Sequence, residues 1–112
     1  VLRVGNIDVA RDFMHVDDVI RAYEIALRSG KSGEIYNVCS GNSHNIGEAL
    51  RKLIGMADTD IQIEVDPDLL RPVDVPEIRG SHQKFTIETG WEPEISFEQL
   101  LSDLLADWRT RT

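Results

Sequence analysis

Hydrophobic and polar positions change rhythm several times along this chain, and each change predicts an element. Val1 to Val4 has the pattern of a short strand, and Gly5-Asn6 marks a turn after it. Val9 to Phe13 predicts a second extended segment. Val16, Val19, Ile20, Tyr23, Ala26 and Leu27 then fall on one face at helical spacing. Asp17 and Asp18 stand in the first turn of that helix, where carboxylates complement its dipole, and Gly30 is placed to end it. Glu34 to Cys39 reads as a buried strand. Asn45 and Glu48 have capping spacing for a second helix, with Ile46, Ala49, Leu50, Leu53 and Ile54 as its apolar face. His44 and Asn45 are assigned to the turn before it.

Ile61 to Val65 alternates as a half-exposed strand does. Leu70 to Pro76 holds two prolines, which fix φ and restrict the residues before them, so it should be a stiff extended loop. One or two helical turns fit Ser81 to Thr89. Ser96 and Gln99 have capping spacing for a last helix. Its stripe of Phe97, Leu100, Leu101, Leu104, Leu105 and Trp108 is the clearest in the chain and is expected to be core. Trp91, between Gly90 and Pro93, should pack against a helix and not stack on a cofactor. The sum is a small mixed α/β module without repeats or low-complexity linkers.

Composition narrows the partners. At 112 residues one domain is the default. A net charge of -8 argues against a nucleic-acid or anionic-membrane partner. No apolar stretch is long enough to span a bilayer, and no signal segment opens the chain. The single cysteine, Cys39, cannot form an internal disulfide, which points to a cytoplasmic setting. Opening on a strand without a methionine, the sequence reads as a piece of a longer protein.

The candidate chemistry is sparse. His15, His44 and His82 lack metal-ligand spacing and read as surface or capping residues; no metal site is expected. Cys39 reads as a small buried hydrophobe. Ser40, Gly41 and Asn42 either line a pocket at a strand end or form an ordinary turn. Asp17 and Asp18 are adjacent on a helix, so they do not share a site. Arg11 and Asp12 alternate to opposite faces of a strand. One would then face a ligand while the other ties down the following helix, or the two are a surface ion pair. Arg71 and Asp74 sit three apart on the stiff loop. A guanidinium forks onto phosphate oxygens and a carboxylate accepts from sugar hydroxyls. Pairing with each other, or facing solvent, is the competing reading. No G-x-G-x-x-G, no P-loop, no Tyr-x-x-x-Lys and no Ser/His/Asp signature occurs, so no catalytic residue is expected in this chain.

In order along the chain, four segments resemble one family. Gly5-Asn6 with Arg11-Asp12-Phe13 and Val16-x-Asp18-Val19 is similar to the "GN-x-x-x-x-RDF" and "V-x-D-V" segment of extended short-chain dehydrogenases/reductases. Gly33-Glu34 through Tyr36-Asn37-Val38 and Gly41 resembles their "GE-x-YNV-x-x-G" strand. Arg71-Pro72-Val73-Asp74-Val75 resembles the "RP-x-[DE]-V" loop of the GDP-sugar branch, and Gly90-Trp91-Glu92-Pro93 the "GW-x-P" before the last helix. Within that branch the likeness leans to the GDP-6-deoxy-4-keto-mannose reductases, with the GDP-mannose 4,6-dehydratases as near neighbours.

The resemblance implies that residues 1–112 are the C-terminal, nucleotide-sugar-binding lobe of a longer enzyme. The NAD(P)-binding Rossmann domain and the catalytic residues would lie outside this chain. It implies that Arg71 grips the diphosphate of a GDP-sugar and Asp74 accepts from its ribose. Arg11 is a second phosphate candidate, and Asn6 and Val4 lie on the segment that approaches the nucleotide. It implies a homodimer for the parent. Without the Rossmann sheet the strand at Tyr36 to Val38 would be unpaired, so the isolated chain is expected to self-associate.

Overall fold

β1 (Leu2–Val4) runs parallel to β4 (Ile63–Val65), with Leu2, Arg3 and Val4 opposite Ile63, Glu64 and Val65. This small sheet stands apart from a second one. There β2 (Ala10–Asp12) is central, antiparallel to β3 (Ser43–Asn45) and parallel to β5 (Glu77–Ile78). The computed structural model describes residues 1–111. Among them the helices are α1 (Val16–Ser29), α2 (Ile46–Met56), α3 (Gln83–Thr89) and α4 (Phe97–Arg111). The fold is the small mixed α/β module expected.

Local signals explain most of these boundaries. Asn45 caps α2 by accepting from the Glu48 N–H at 3.0 Å, and Ser96 accepts from the Gln99 N–H at 3.1 Å. α1 begins on His15, whose Nδ1 accepts from the Asp17 N–H at 3.0 Å. α3 ends on Gly90 at φ 78°, a left-handed position that suits glycine. Leu70 to Pro76 belongs to no helix or strand, in keeping with its prolines.

The core forms between α1, α3 and the turn after α3. Ala22, Phe85 and Trp91 are fully buried together, with Ile25, Ala26, Tyr36 and Val38 packed around them. Trp91 lies against the Phe85 ring at 5.5 Å and donates through Nε1 to the Asp18 carbonyl at 3.2 Å. It therefore packs on helices, as the sequence suggests. Asp18 does more than complement a dipole. Its buried carboxylate accepts from Glu94 N–H and Ile95 N–H, both at 3.1 Å, and from Arg21 at 3.2 Å. It ties α1 to the segment leading into α4.

Four expectations are corrected. Glu34 to Cys39 is not a strand, and Ile35 is 83% exposed. Both edges of β2 are taken by β3 and β5, so this segment finds no ladder partner among the described residues. It is held instead by Lys84, which donates to the Ile35 carbonyl at 3.0 Å, and by the Tyr36 ring on Phe85. The face α1 buries is that of Asp18, Ala22, Ile25 and Ala26, whereas Val16, Ile20, Tyr23 and Leu27 are exposed. The α4 stripe is core only at Leu101 and its partly buried neighbours; Leu104 and Trp108 are exposed. His44 lies in β3 instead of a turn, with its ring stacked on Phe97 at 3.8 Å.

Candidate functional site

A cleft of about 290 Å³ opens between the end of β1, β2, the start of α2 and the proline loop. Asn6, Arg11, Arg71 and Asp74 all line it, with Gly5, Val9, Ile46 and Leu69. Four residues singled out in the sequence are thus brought together from three separate segments. Val4 does not line the cleft. It adjoins through Gly5, and its carbonyl accepts from Asp66 N–H at 2.8 Å, which fixes the β1 end against the turn at Pro67–Leu69. Gly5 is needed for that approach, because a Cβ there would sit 2.8 Å from the Leu69 carbonyl oxygen.

Arg11 and Asp74 form the fixed part of the site. Arg11 Nη2 donates to Asp74 Oδ1 at 3.1 Å, and Nη1 donates to the Val75 and Ala10 carbonyls, both at 2.8 Å. Both side chains are partly shielded from water. Asp74 therefore pairs with Arg11 and not with Arg71. Arg71 is exposed at the cleft and has no hydrogen-bond or ion-pair partner among the described residues. A free guanidinium beside a half-neutralised carboxylate can take an anion and a hydroxyl side by side. Asn6 accepts from Asp8 N–H through Oδ1 at 3.0 Å, which leaves its amide nitrogen available to the cleft.

The N-terminus of α2 also borders the cleft, yet its amides are occupied. Ile46 N–H donates to the Val9 carbonyl at 2.9 Å, Gly47 N–H to Ile7 at 2.8 Å, and Glu48 N–H to Asn45. It does not fit the diphosphate of a dinucleotide, and an anion in this cleft must be met by side chains.

Asp12 points the other way, as strand alternation requires. Its carboxylate does not tie down α1. It accepts from Ser40 N–H at 2.9 Å, Ser40 Oγ at 2.5 Å, Gly41 N–H at 3.0 Å and Gly80 N–H at 3.3 Å. Burial alone would push this carboxyl up, but the bonds from Ser40, Gly80 and Gly41 outweigh it and hold it below the usual carboxylate range. Ser40 and Gly41 are thus an ordinary turn with its polar groups satisfied. Cys39 beside them has its thiol pushed up by burial and by the Asp12 charge, the opposite of a reactive thiolate.

Sequence reasoning missed Ile46 and Leu69 as lining residues and Asp12 as a hub. Nothing local marks the first two. Asp12 had a signal in strand alternation, but its partners are 28 and 68 residues away.

The sequence matches the GDP-mannose 4,6 dehydratase family over residues 1–104. The chain belongs to that family. It is similar to the GDP-6-deoxy-D-mannose reductase of Pseudomonas aeruginosa, with 43% identity over 98% of the chain and 36% of the relative. It is 29% identical to a GDP-mannose 4,6 dehydratase of Arabidopsis thaliana over 89% of the chain and 28% of the relative. Among solved structures, one of RMD from Pseudomonas aeruginosa complexed with NADPH superposes with a TM-score of 0.90 at 41% identity, over 99% of the chain and 36% of that protein. A UDP-glucose 4-epimerase from Thermotoga maritima with UDP-glucose gives 0.87 at 25% identity, over 98% and 35%. The chain thus spans about a third of the length of these members and relatives of the GDP-mannose 4,6 dehydratase family.

Proposed function

We propose that residues 1–112 form the nucleotide-sugar-binding lobe of an NAD(P)-dependent GDP-4-keto-6-deoxy-mannose reductase. The observation that carries this reading is the cleft that unites Arg71, Asp74, Arg11 and Asn6. Arg71 takes the diphosphate, with Arg11 adding positive charge from behind. The Asp74 oxygen not engaged by Arg11 accepts from ribose hydroxyls. Likeness to the Pseudomonas reductase supports the choice of GDP-sugar and of reductase. The cofactor would be held by the part of the parent outside this chain, and no chemical step is assigned to residues here. What this lobe contributes is remote binding energy that positions the sugar.

A second reading, a GDP-mannose 4,6-dehydratase lobe, is favoured by the family match over residues 1–104. Product analysis of the full gene product separates the two. A reductase consumes the 4-keto sugar with NAD(P)H, whereas a dehydratase releases it from GDP-mannose.

The binding reading is tested by calorimetric titration of the chain with GDP, UDP and GMP. GDP should bind best, and Arg71→Ala should weaken it by roughly tenfold or more, the worth of a charge-assisted phosphate contact. Equal affinity for GMP and GDP, or no effect of Arg71→Ala in the full gene product, would refute the diphosphate role.

A further inference from the structure

Arg11 and Asp12 reach to opposite sides of β2, yet both finish on the same segment, the one that carries Arg71 and Asp74. On the cleft side Arg11 holds Asp74 and the Val75 carbonyl. Ala10 N–H then donates to the Pro76 carbonyl at 2.7 Å, and β5 runs alongside Ala10 and Arg11. On the far side Asp12 takes the Gly80 N–H at 3.3 Å. The segment is therefore pinned at both ends of β5. We propose that Asp12 is a positioning residue for the cleft, fixing the segment after Asp74 from behind the strand and so setting where Arg71 and Asp74 stand. This rests on the diphosphate-binding reading.

The chemistry of the site calls for a carboxylate. Asp12 is met by donors from Ser40, Gly41 and Gly80 across its two oxygens. An amide would turn its own NH2 toward N–H groups, and one oxygen cannot serve all of them. The same carboxylate ties the Ser40–Gly41 turn to Gly80, so the turn acts as a second anchor for the segment's end. Gly80 suits this contact. A Cβ there would sit 2.7 Å from Cys39 Sγ and 3.2 Å from Cys39 Cβ, so a side chain at this position should push the Gly80 end of the segment and the Cys39–Gly41 turn apart.

The test is Asp12→Asn, alone and combined with Arg71→Ala, at a temperature where circular dichroism shows each variant folded. GDP affinity is followed by NMR titration, and amide exchange is read without ligand. Asp12→Asn should lower GDP affinity about five- to tenfold with Arg71 present and far less without it, because the two act through one segment. Exchange should rise at Ala10, whose N–H donates to the Pro76 carbonyl, as well as at Ser40, Gly41 and Gly80. A role in stability alone would give the same loss in both backgrounds, with faster exchange confined to the direct partners, and would overturn the proposal. Should Asp12→Asn not fold, Gly80→Ala breaks the link from the other end and must give the same pattern. If the unaltered chain fails to bind GDP, the binding reading falls, and exchange at Ala10, bonded to the Pro76 carbonyl, alone decides whether the clamp exists.

Discussion

At the scale of single residues, the cleft is organised by a few polar groups that each hold several partners. Arg11 spans two carbonyls and a carboxylate at once, a reach that the planar guanidinium fork provides and an ammonium does not. Arg11→Lys should therefore leave the chain folded yet lower its GDP affinity by roughly tenfold, about 1.4 kcal/mol, in a calorimetric titration. A variant with unchanged affinity would remove Arg11 from the site. Asp12 carries a pH signature. Its folded carboxyl lies below the unfolded value, so its contribution is complete above about pH 5 and fades as pH falls through and below about 4. Cys39, the titratable group that feels its charge, is neutral throughout that range. Denaturant unfolding of the chain and of Asp12→Asn should thus differ by a constant amount from pH 7 to 5, and the gap should close in more acid solution. A gap independent of pH would mean that the charge of Asp12 does not matter.

Elements were legible where the signal is local. The Asn45 and Ser96 caps, the proline loop and the helix after Val16 follow from side chains that act within three or four residues. Asn45→Ala should accordingly cost about 1 kcal/mol in thermal or denaturant unfolding, with α2 still formed. That Arg71 and Asp74 stand together on one stiff loop beside the cleft was legible for the same reason; their role there is the proposal above. What escaped depends on contacts remote in sequence. The pattern of α1 offers two apolar faces, and the burial of Asp18 and Ala22 is decided by Trp91 and by the amides of Glu94 and Ile95. The Glu34 to Cys39 run has strand composition, but composition cannot supply the neighbouring strand it needs. The Arg11–Asp74 pair joins positions 63 apart, beyond the reach of any local pattern. Trp91 was placed correctly because Gly90 and Pro93 enforce a turn back onto α3. Trp91→Ala should cost about 3–5 kcal/mol, enough to unfold a domain with so small a core, as circular dichroism would record.

At the scale of the whole molecule, the two faces of α1 have different fates. One builds the core with Phe85 and Trp91. The other leaves Val16, Ile20, Tyr23 and Leu27 in water, with Leu27 89% exposed, and the Ile35 side chain is also exposed. A helix that is apolar on both sides is one that something covers on both sides. A chain that spans about a third of its relatives' length is where such a face is expected. In isolation the chain should therefore self-associate, and the exposed α1 face should carry the contact. Its net charge of -8 opposes close approach, so the association should strengthen as salt screens that repulsion. Sedimentation velocity over a concentration series, at low and high salt, reads this directly. Paired Ile20→Lys and Leu27→Lys substitutions should return the chain to a monomer without loss of helix, since neither side chain touches the core. A chain that stays monomeric at every concentration, or a lysine pair that leaves the association intact, would show that this face is not what brings copies together.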